Sequence, residues 1–175
     1  MAGYLHKMSK LNLYKTHIMK KVLLSVAAVA ILALGAQEAK AQSPQRAAIG
    51  VVFDGTAGDL WGVQYKQSMG GANNGQAQIM FDDNVVAVGA DYQYARPFSG
   101  AKGLGWYAGV GAQLSFVDAG DNITLVALRP QLGLEFKIPA APIGFHADWK
   151  PDWRLNHNSD FDASTFSFGI KYTLR

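Results

Sequence analysis

The chain has 175 residues, no cysteine and a formal net charge of +3. The absence of cysteine excludes disulfides, thiolate metal sites and the acylated cysteine of a lipoprotein. Residues 1–41 hold six Lys/Arg and one Glu, a net of +5, so residues 42–175 carry −2. The basic surplus lies in that leader, and no basic stripe remains behind it to serve nucleic acid.

Residues 1–18 read as an upstream extension and residues 19–41 as a signal peptide. Lys20 and Lys21 precede an apolar run from Val22 to Ala36, and Ala39, Lys40 and Ala41 make a small-x-small site before Gln42. The run is shorter than the roughly 20 residues a membrane-spanning helix requires, which favours a cleaved leader. Residues 42–175 then form one domain. Seventeen glycines fall in this stretch, many inside apolar runs, a pattern unsuited to helices and suited to tightly packed sheet.

Side chains alternate faces along a strand, and strict alternation predicts eight strands in order. Ala48–Phe53 sets Ile49, Val51 and Phe53 against Ala48, Gly50 and Val52, and after a turn at Asp54–Asp59, Leu60–Lys66 sets Trp61, Val63 and Tyr65 against Gly62, Gln64 and Lys66. Gln67–Gly75 carries turn residues. Gln76–Phe81 follows, then a tight turn at Asp82–Asn84 and a strand over Val85–Ala95. Leu104–Phe116 is the clearest element: Leu104, Trp106, Ala108, Val110, Ala112, Leu114 and Phe116 share one face, and Gly105, Tyr107, Gly109, Gly111, Gln113 and Ser115 the other. Beyond a turn at Asp118–Asn122 come Leu125–Ile138, Ile143–Trp153, a polar loop over Leu155–Ser164, and a last strand over Thr165–Arg175.

The apolar faces carry no ionised residue, whereas the other faces mix glycine, alanine and glutamine with charges of both signs. That combination predicts an inside-out molecule: an all-β, eight-stranded antiparallel up-and-down transmembrane barrel with lipid outside and a confined polar lumen. Asp91, Arg129, Glu135, His146, Asp148, Lys150 and Lys171 are the expected lumen network, plugging the interior instead of lining a conducting channel. Trp61, Tyr92, Tyr94, Trp106, Trp149 and Tyr172 are the expected aromatic girdle.

Gly105, Trp106 and Tyr107 in the fifth strand, Asp148–Pro151 in the seventh and Gly169–Thr173 in the last follow one another in an order that resembles the small outer-membrane barrels of Gram-negative bacteria, the OmpA-transmembrane-domain and OmpX-like proteins. The resemblance implies residence in the outer membrane and lipid as the surroundings. It also implies insertion by the barrel-assembly machinery, and a monomer with a structural or surface-interaction role; the chain departs from the family's terminal aromatic by finishing on Leu174 and Arg175, while Tyr172 keeps the penultimate aromatic. Both termini would lie on the periplasmic side, with the turns near Asp54–Asp59, Asp82–Asn84, Asp118–Ile123 and Leu155–Ser164 facing outward.

Two alternatives compete with this non-enzymatic reading: a lipid-modifying barrel enzyme and a secreted, lipocalin-like barrel. His146, Asp148 and Ser167 supply the residue types of a hydrolase. Pairing the last two strands through Leu155–Ser164 puts Ser167 near Asp152, however, about six residues or roughly 20 Å from His146, too far for a nucleophile and its base. No catalytic residue, cofactor or metal is expected. The oxygens of Asn156, Ser159, Asp160 and Asp162 lack the glycine and spaced glutamate of a calcium loop.

Overall fold

The computed structural model describes residues 47–55, 59–118, 122–156 and 159–174. Residues 1–41, expected from the sequence to be an upstream extension and a signal peptide, lie outside these residues. Ten strand segments form one antiparallel sheet: β1 (Ala47–Asp54), β2 (Leu60–Gly70), β3 (Asn73–Asp82), β4 (Val85–Pro97), β5 (Leu104–Asp118), β6 (Asn122–Lys137), β7 (Ile143–Trp149), β8 (Asp152–Arg154), β9 (Asp160–Asp162) and β10 (Phe166–Leu174). β7 and β8 are one stave interrupted at Lys150–Pro151, and β9 and β10 together make another, so the staves number eight. β1 pairs with both β2 and β10, and β5 with both β4 and β6, which closes the sheet on itself.

The register fixes the shape of the barrel. A path of paired residues leaves β5 at Phe116 and passes through Val86, Phe81, Trp61, Phe53, Phe168, Ala147 and Leu134. It returns to β5 at Trp106, ten residues further down the same strand. Ten residues at about 3.3 Å against eight interstrand gaps of about 4.8 Å correspond to a strand tilt of about 40°, within the range of closed barrels. At that tilt the 15 residues of β5 rise roughly 38 Å along the barrel axis, enough to cross a hydrocarbon core of about 30 Å.

Four local departures from the alternation pattern have physical causes. Gln67–Gly75 is not a turn region: the β2–β3 ladder runs on to Gly70↔Asn73 and turns over Gly71 and Ala72. Positive φ at Gly70 (102°) and Gly71 (60°) lets the chain reverse this tightly. The expected Ile143–Trp153 strand is broken at Lys150–Pro151. Leu132↔Trp149 and Leu128↔Trp153 place Pro130 of β6 opposite Pro151, and neither proline has an N–H to give the ladder. On the other side of the same break, Trp149↔Phe166 and Asp152↔Asp162 leave Lys150 and Pro151 opposite Ala163, Ser164 and Thr165, a one-residue bulge. Lastly, Leu155–Ser164 is not all loop, because it contains β9.

Candidate functional site

Alternation sends every second side chain of each stave inward, and at this diameter the inward set meets itself across the lumen. At the end holding the Asp54, Asp82, Asp118 and Asn156 connections, Arg129 is 1% exposed and grips Asp54 with two hydrogen bonds, Nη1 to Oδ2 and Nη2 to Oδ1, each 3.0 Å. Its Nη1 also donates to Gln113 Oε1 at 2.6 Å and its Nη2 to the Lys150 carbonyl at 3.2 Å, and Asp152 Oδ2 lies 3.7 Å from Nε. The bulge opposite Lys150 leaves that carbonyl outside the regular ladder, and it also accepts from Thr165 Oγ1.

Deeper in, Lys150 Nζ donates to Asp91 Oδ2 at 2.6 Å and Lys171 Nζ to Gln76 Oε1 at 3.0 Å. Asp148 Oδ1 accepts from Tyr107 Oη at 2.6 Å and lies 2.7 Å from His146 Nδ1. Tyr107 fits because it lies against Gly133, where a Cβ would meet the ring Cζ at 2.5 Å. Nearest the chain ends, Glu135 takes Lys66 Nζ at 2.6 Å on one oxygen and Lys137 Nζ at 3.0 Å on the other.

All seven residues expected in the lumen network face inward, and several meet directly: Lys150 with Asp91, His146 with Asp148, and Arg129 with the Lys150 carbonyl. Outside that set, Gln76 joins Asp91 to Lys171 and Tyr107 contacts His146 and Asp148, while Asp54, Gln113 and Asp152 surround Arg129, Lys66 pairs with Glu135 and Gln64 lies against His146. Asp54 reads as a turn residue in the sequence, yet its parity with Gly50 and Val52 identifies it as inward once β1 is extended by one position.

The expected distance between His146 and Ser167 is overturned. Ser167 pairs with Asp148 and Gly169 with His146, because the last hairpin turns earlier than the centre of Leu155–Ser164. A hydrolytic relay still needs an imidazole nitrogen for the serine, and both nitrogens of His146 are engaged elsewhere. Gln64 Nε2 lies 2.9 Å from His146 Nε2 and 2.9 Å from the Val51 carbonyl, so its two hydrogens serve two acceptors. With Asp148 accepting from Nδ1–H, the pattern fits the neutral tautomer protonated there.

Three of the residues weighed for calcium have oxygens engaged within the protein. Asp160 Oδ2 accepts from Arg154 Nη2 at 2.6 Å. Asn156 extends the sheet with its side chain, accepting from Val126 N at 2.9 Å and donating to the Thr124 carbonyl at 2.8 Å. Asp162 Oδ1 accepts from both Ser164 N and Ser164 Oγ, which holds its carboxyl below the usual range.

No family model and no curated protein matches the sequence. Among solved structures, the N-terminal beta-barrel domain of Pseudomonas aeruginosa OprF aligns with a TM-score of 0.60 at 12% identity, over 74% of this chain and 97% of that one. The chain has the fold of a small eight-stranded outer-membrane barrel. Neisserial surface protein A (NspA) aligns with a TM-score of 0.46 at 10% identity, over 74% of this chain and 96% of that one.

On the outside of this barrel the residues expected in the aromatic girdle are placed as follows. Trp61, beside Phe81 at 6.3 Å between ring centroids, lies toward the loop end, whereas Trp149, paired with Leu132, sits nearer mid-height. Tyr94, 6.3 Å from Trp106, and Tyr172 lie toward the chain ends, and the Tyr92 hydroxyl reaches in that direction to donate to Asn73 Oδ1. Arg96 donates to the Tyr94 hydroxyl at 2.8 Å and marks the rim there.

Proposed function

We propose that the protein is an integral outer-membrane β-barrel, monomeric and non-enzymatic, with a structural or surface-interaction role and a lumen plugged by its own side chains. The observation that carries this reading is the polarity of the two faces. Val110 is 44% exposed and Trp61 64%, and Val51, Leu132, Leu134, Phe168 and Ile170 are similarly open. Between Asp118 at one end and Arg96 at the other, no described outward position carries a charge. Soluble monomers seldom expose apolar patches beyond a few hundred Å², and a belt around the whole barrel belongs in lipid. The polar interior opposes the lipocalin-like alternative, which needs an apolar lumen for an apolar ligand.

The plug rests on bonds that cross the lumen. Arg129 and Asp54 stand three staves apart, and Lys66 and Glu135 four apart, on opposite walls. Eight staves leave an interior that side chains nearly fill. In this reading the barrel-assembly machinery inserts the chain with both termini periplasmic, and any recognition falls to the loops at the opposite end.

Membrane fractionation with heat-modifiable gel migration tests location and fold together. The expected result is a membrane-bound protein whose unheated band runs ahead of the boiled one; a protein soluble in buffer without detergent contradicts the proposal. Planar-bilayer recording tests the plug, for which the expectation is no steady open state. Sustained conductance contradicts it.

A further inference from the structure

At the end of the barrel that holds Ala47 and Leu174, the lumen opens as a cavity of about 440 Å³ whose wall includes Lys66, Tyr107, Glu135, Lys137 and Lys171. Charge does not balance in this mouth. Glu135 is the only carboxylate among the described lining residues, and its two oxygens are taken by Lys66 and Lys137. Lys171 is 4% exposed and donates to the neutral amide oxygen of Gln76, and no described carboxylate lies within 4.0 Å of its Nζ. Tyr107 faces the same space, but its hydroxyl proton is committed to Asp148.

Three lysine side chains therefore share one lining carboxylate around a cavity, and the most buried of the three has no described carboxylate in direct contact. An ammonium carries three donors, and a buried cation is costly unless it is paired. The space beside Lys171 is open to the end of the barrel, so a diffusible partner has a route in. A compact anion with several acceptor oxygens meets both demands: it balances the surplus and accepts from more than one lysine at once.

We infer that this mouth binds a small oxyanion of the phosphate class, either free or carried on a lipid headgroup. The site goes beyond a structural role for the lumen, and it depends on neither the orientation of the barrel nor the recognition properties of its loops. Lys171 and Lys66 hold the anion from the wall, Lys137 closes over it from the rim, and Glu135 keeps the two outer lysines in place.

Calorimetric titration of the detergent-folded barrel at low salt tests the assignment, with inorganic phosphate as one probe and dihexanoyl phosphatidic acid below its micellar concentration as the other. The expected result is saturable binding that weakens at least about tenfold in Lys171→Met, the loss of one charge-assisted hydrogen bond. Gln76→Glu, which gives Lys171 a carboxylate in place, should weaken it similarly. Lys102→Met, which removes an exposed lysine at the same end of the barrel, should leave it unchanged. Binding of inorganic phosphate assigns a free anion; binding of phosphatidic acid alone assigns a lipid headgroup. Binding of neither probe, or an equal loss in Lys102→Met, overturns the inference. If Lys171→Met fails to give the heat-shifted folded band, unchanged affinity in Gln76→Glu overturns it equally.

Discussion

Arg129 holds more of the lumen together than any other side chain. Its guanidinium joins Asp54 of β1, Gln113 of β5 and the Lys150 carbonyl, and Asp152 sits beside it. The planar fork of donors suits this role, because it matches a carboxylate with two parallel bonds and still has hydrogens to spare. Replacement by a shorter neutral residue leaves the Asp54 and Asp152 carboxylates buried without their cation. Arg129→Ala should therefore cost about 3–5 kcal/mol, read as a fall in unfolding free energy in urea titrations of the barrel in lipid vesicles. Arg129→Lys should recover only part of the loss, since an ammonium cannot reproduce the bidentate grip on Asp54. A loss below about 1 kcal/mol for Arg129→Ala, the value of an exposed pair, would show that water reaches this site freely.

At the scale of elements, a strand's face assignments and its hairpin neighbours were legible and its register was not. The parity of Leu104–Phe116 fixes Val110 outward and Gln113 inward with no knowledge of partners, because the repeat of two is local. Register is a relation between two segments and depends on where the chain turns. The sequence shows polar residues from Leu155 to Ser164, but β9 lies hidden among them, and the shift in turn position brings Ser167 opposite Asp148 instead of near Asp152. The broken stave was half legible: Pro130 and Pro151 are plain in the sequence, but only the pairing of β6 with β7 and β8 sets them face to face. The same limit explains the lumen. Parity identifies Lys66, Gln76 and Tyr107 as inward, yet which of them meet depends on the ten-residue offset around the barrel.

Close packing between neighbouring elements gives a direct check on that register. Gly133 of β6 pairs with Tyr107 of β5, and a Cβ there would approach the ring Cζ at 2.5 Å and the Asp148 Cβ at 2.8 Å. Gly133→Ala should cost about 1–3 kcal/mol through displacement of the ring, with the Tyr107–Asp148 hydrogen bond strained as well. Combining it with Tyr107→Phe should cost less than the sum of the two single changes, since both act on one contact. Additive losses in the vesicle unfolding assay would mean that the ring does not lie against Gly133.

For the whole molecule, the inside-out arrangement ties the other features together. Charges of both signs sit in the lumen, where a partner lies within reach across a diameter set by eight staves. Apolar side chains cover the outside. The ends themselves differ. Asp54, Asp59, Asp82, Asp83, Asp118, Asp152, Asp160 and Asp162 gather toward the loop end, while Lys66, Arg96, Lys102, Lys137 and Lys171 gather toward the chain termini. The barrel is thus polarised along its axis, and the anion site inferred at the terminal mouth lies at the basic end.

The most direct test of the inside-out arrangement is a single-cysteine scan along β5, which a cysteine-free chain permits without background changes. Spin labels would be placed one at a time at Ala108, Val110, Ala112, Gln113, Leu114 and Ser115 of the vesicle-inserted barrel. Their collision rates with oxygen and with a polar nickel chelate would then be compared. Labels at Ala108, Val110, Ala112 and Leu114 should favour oxygen, the signature of lipid, whereas those at Gln113 and Ser115 should not. Loss of that alternation, or its reversal with the apolar set shielded from oxygen, would contradict a barrel that faces lipid with Leu104, Trp106, Val110 and Phe116.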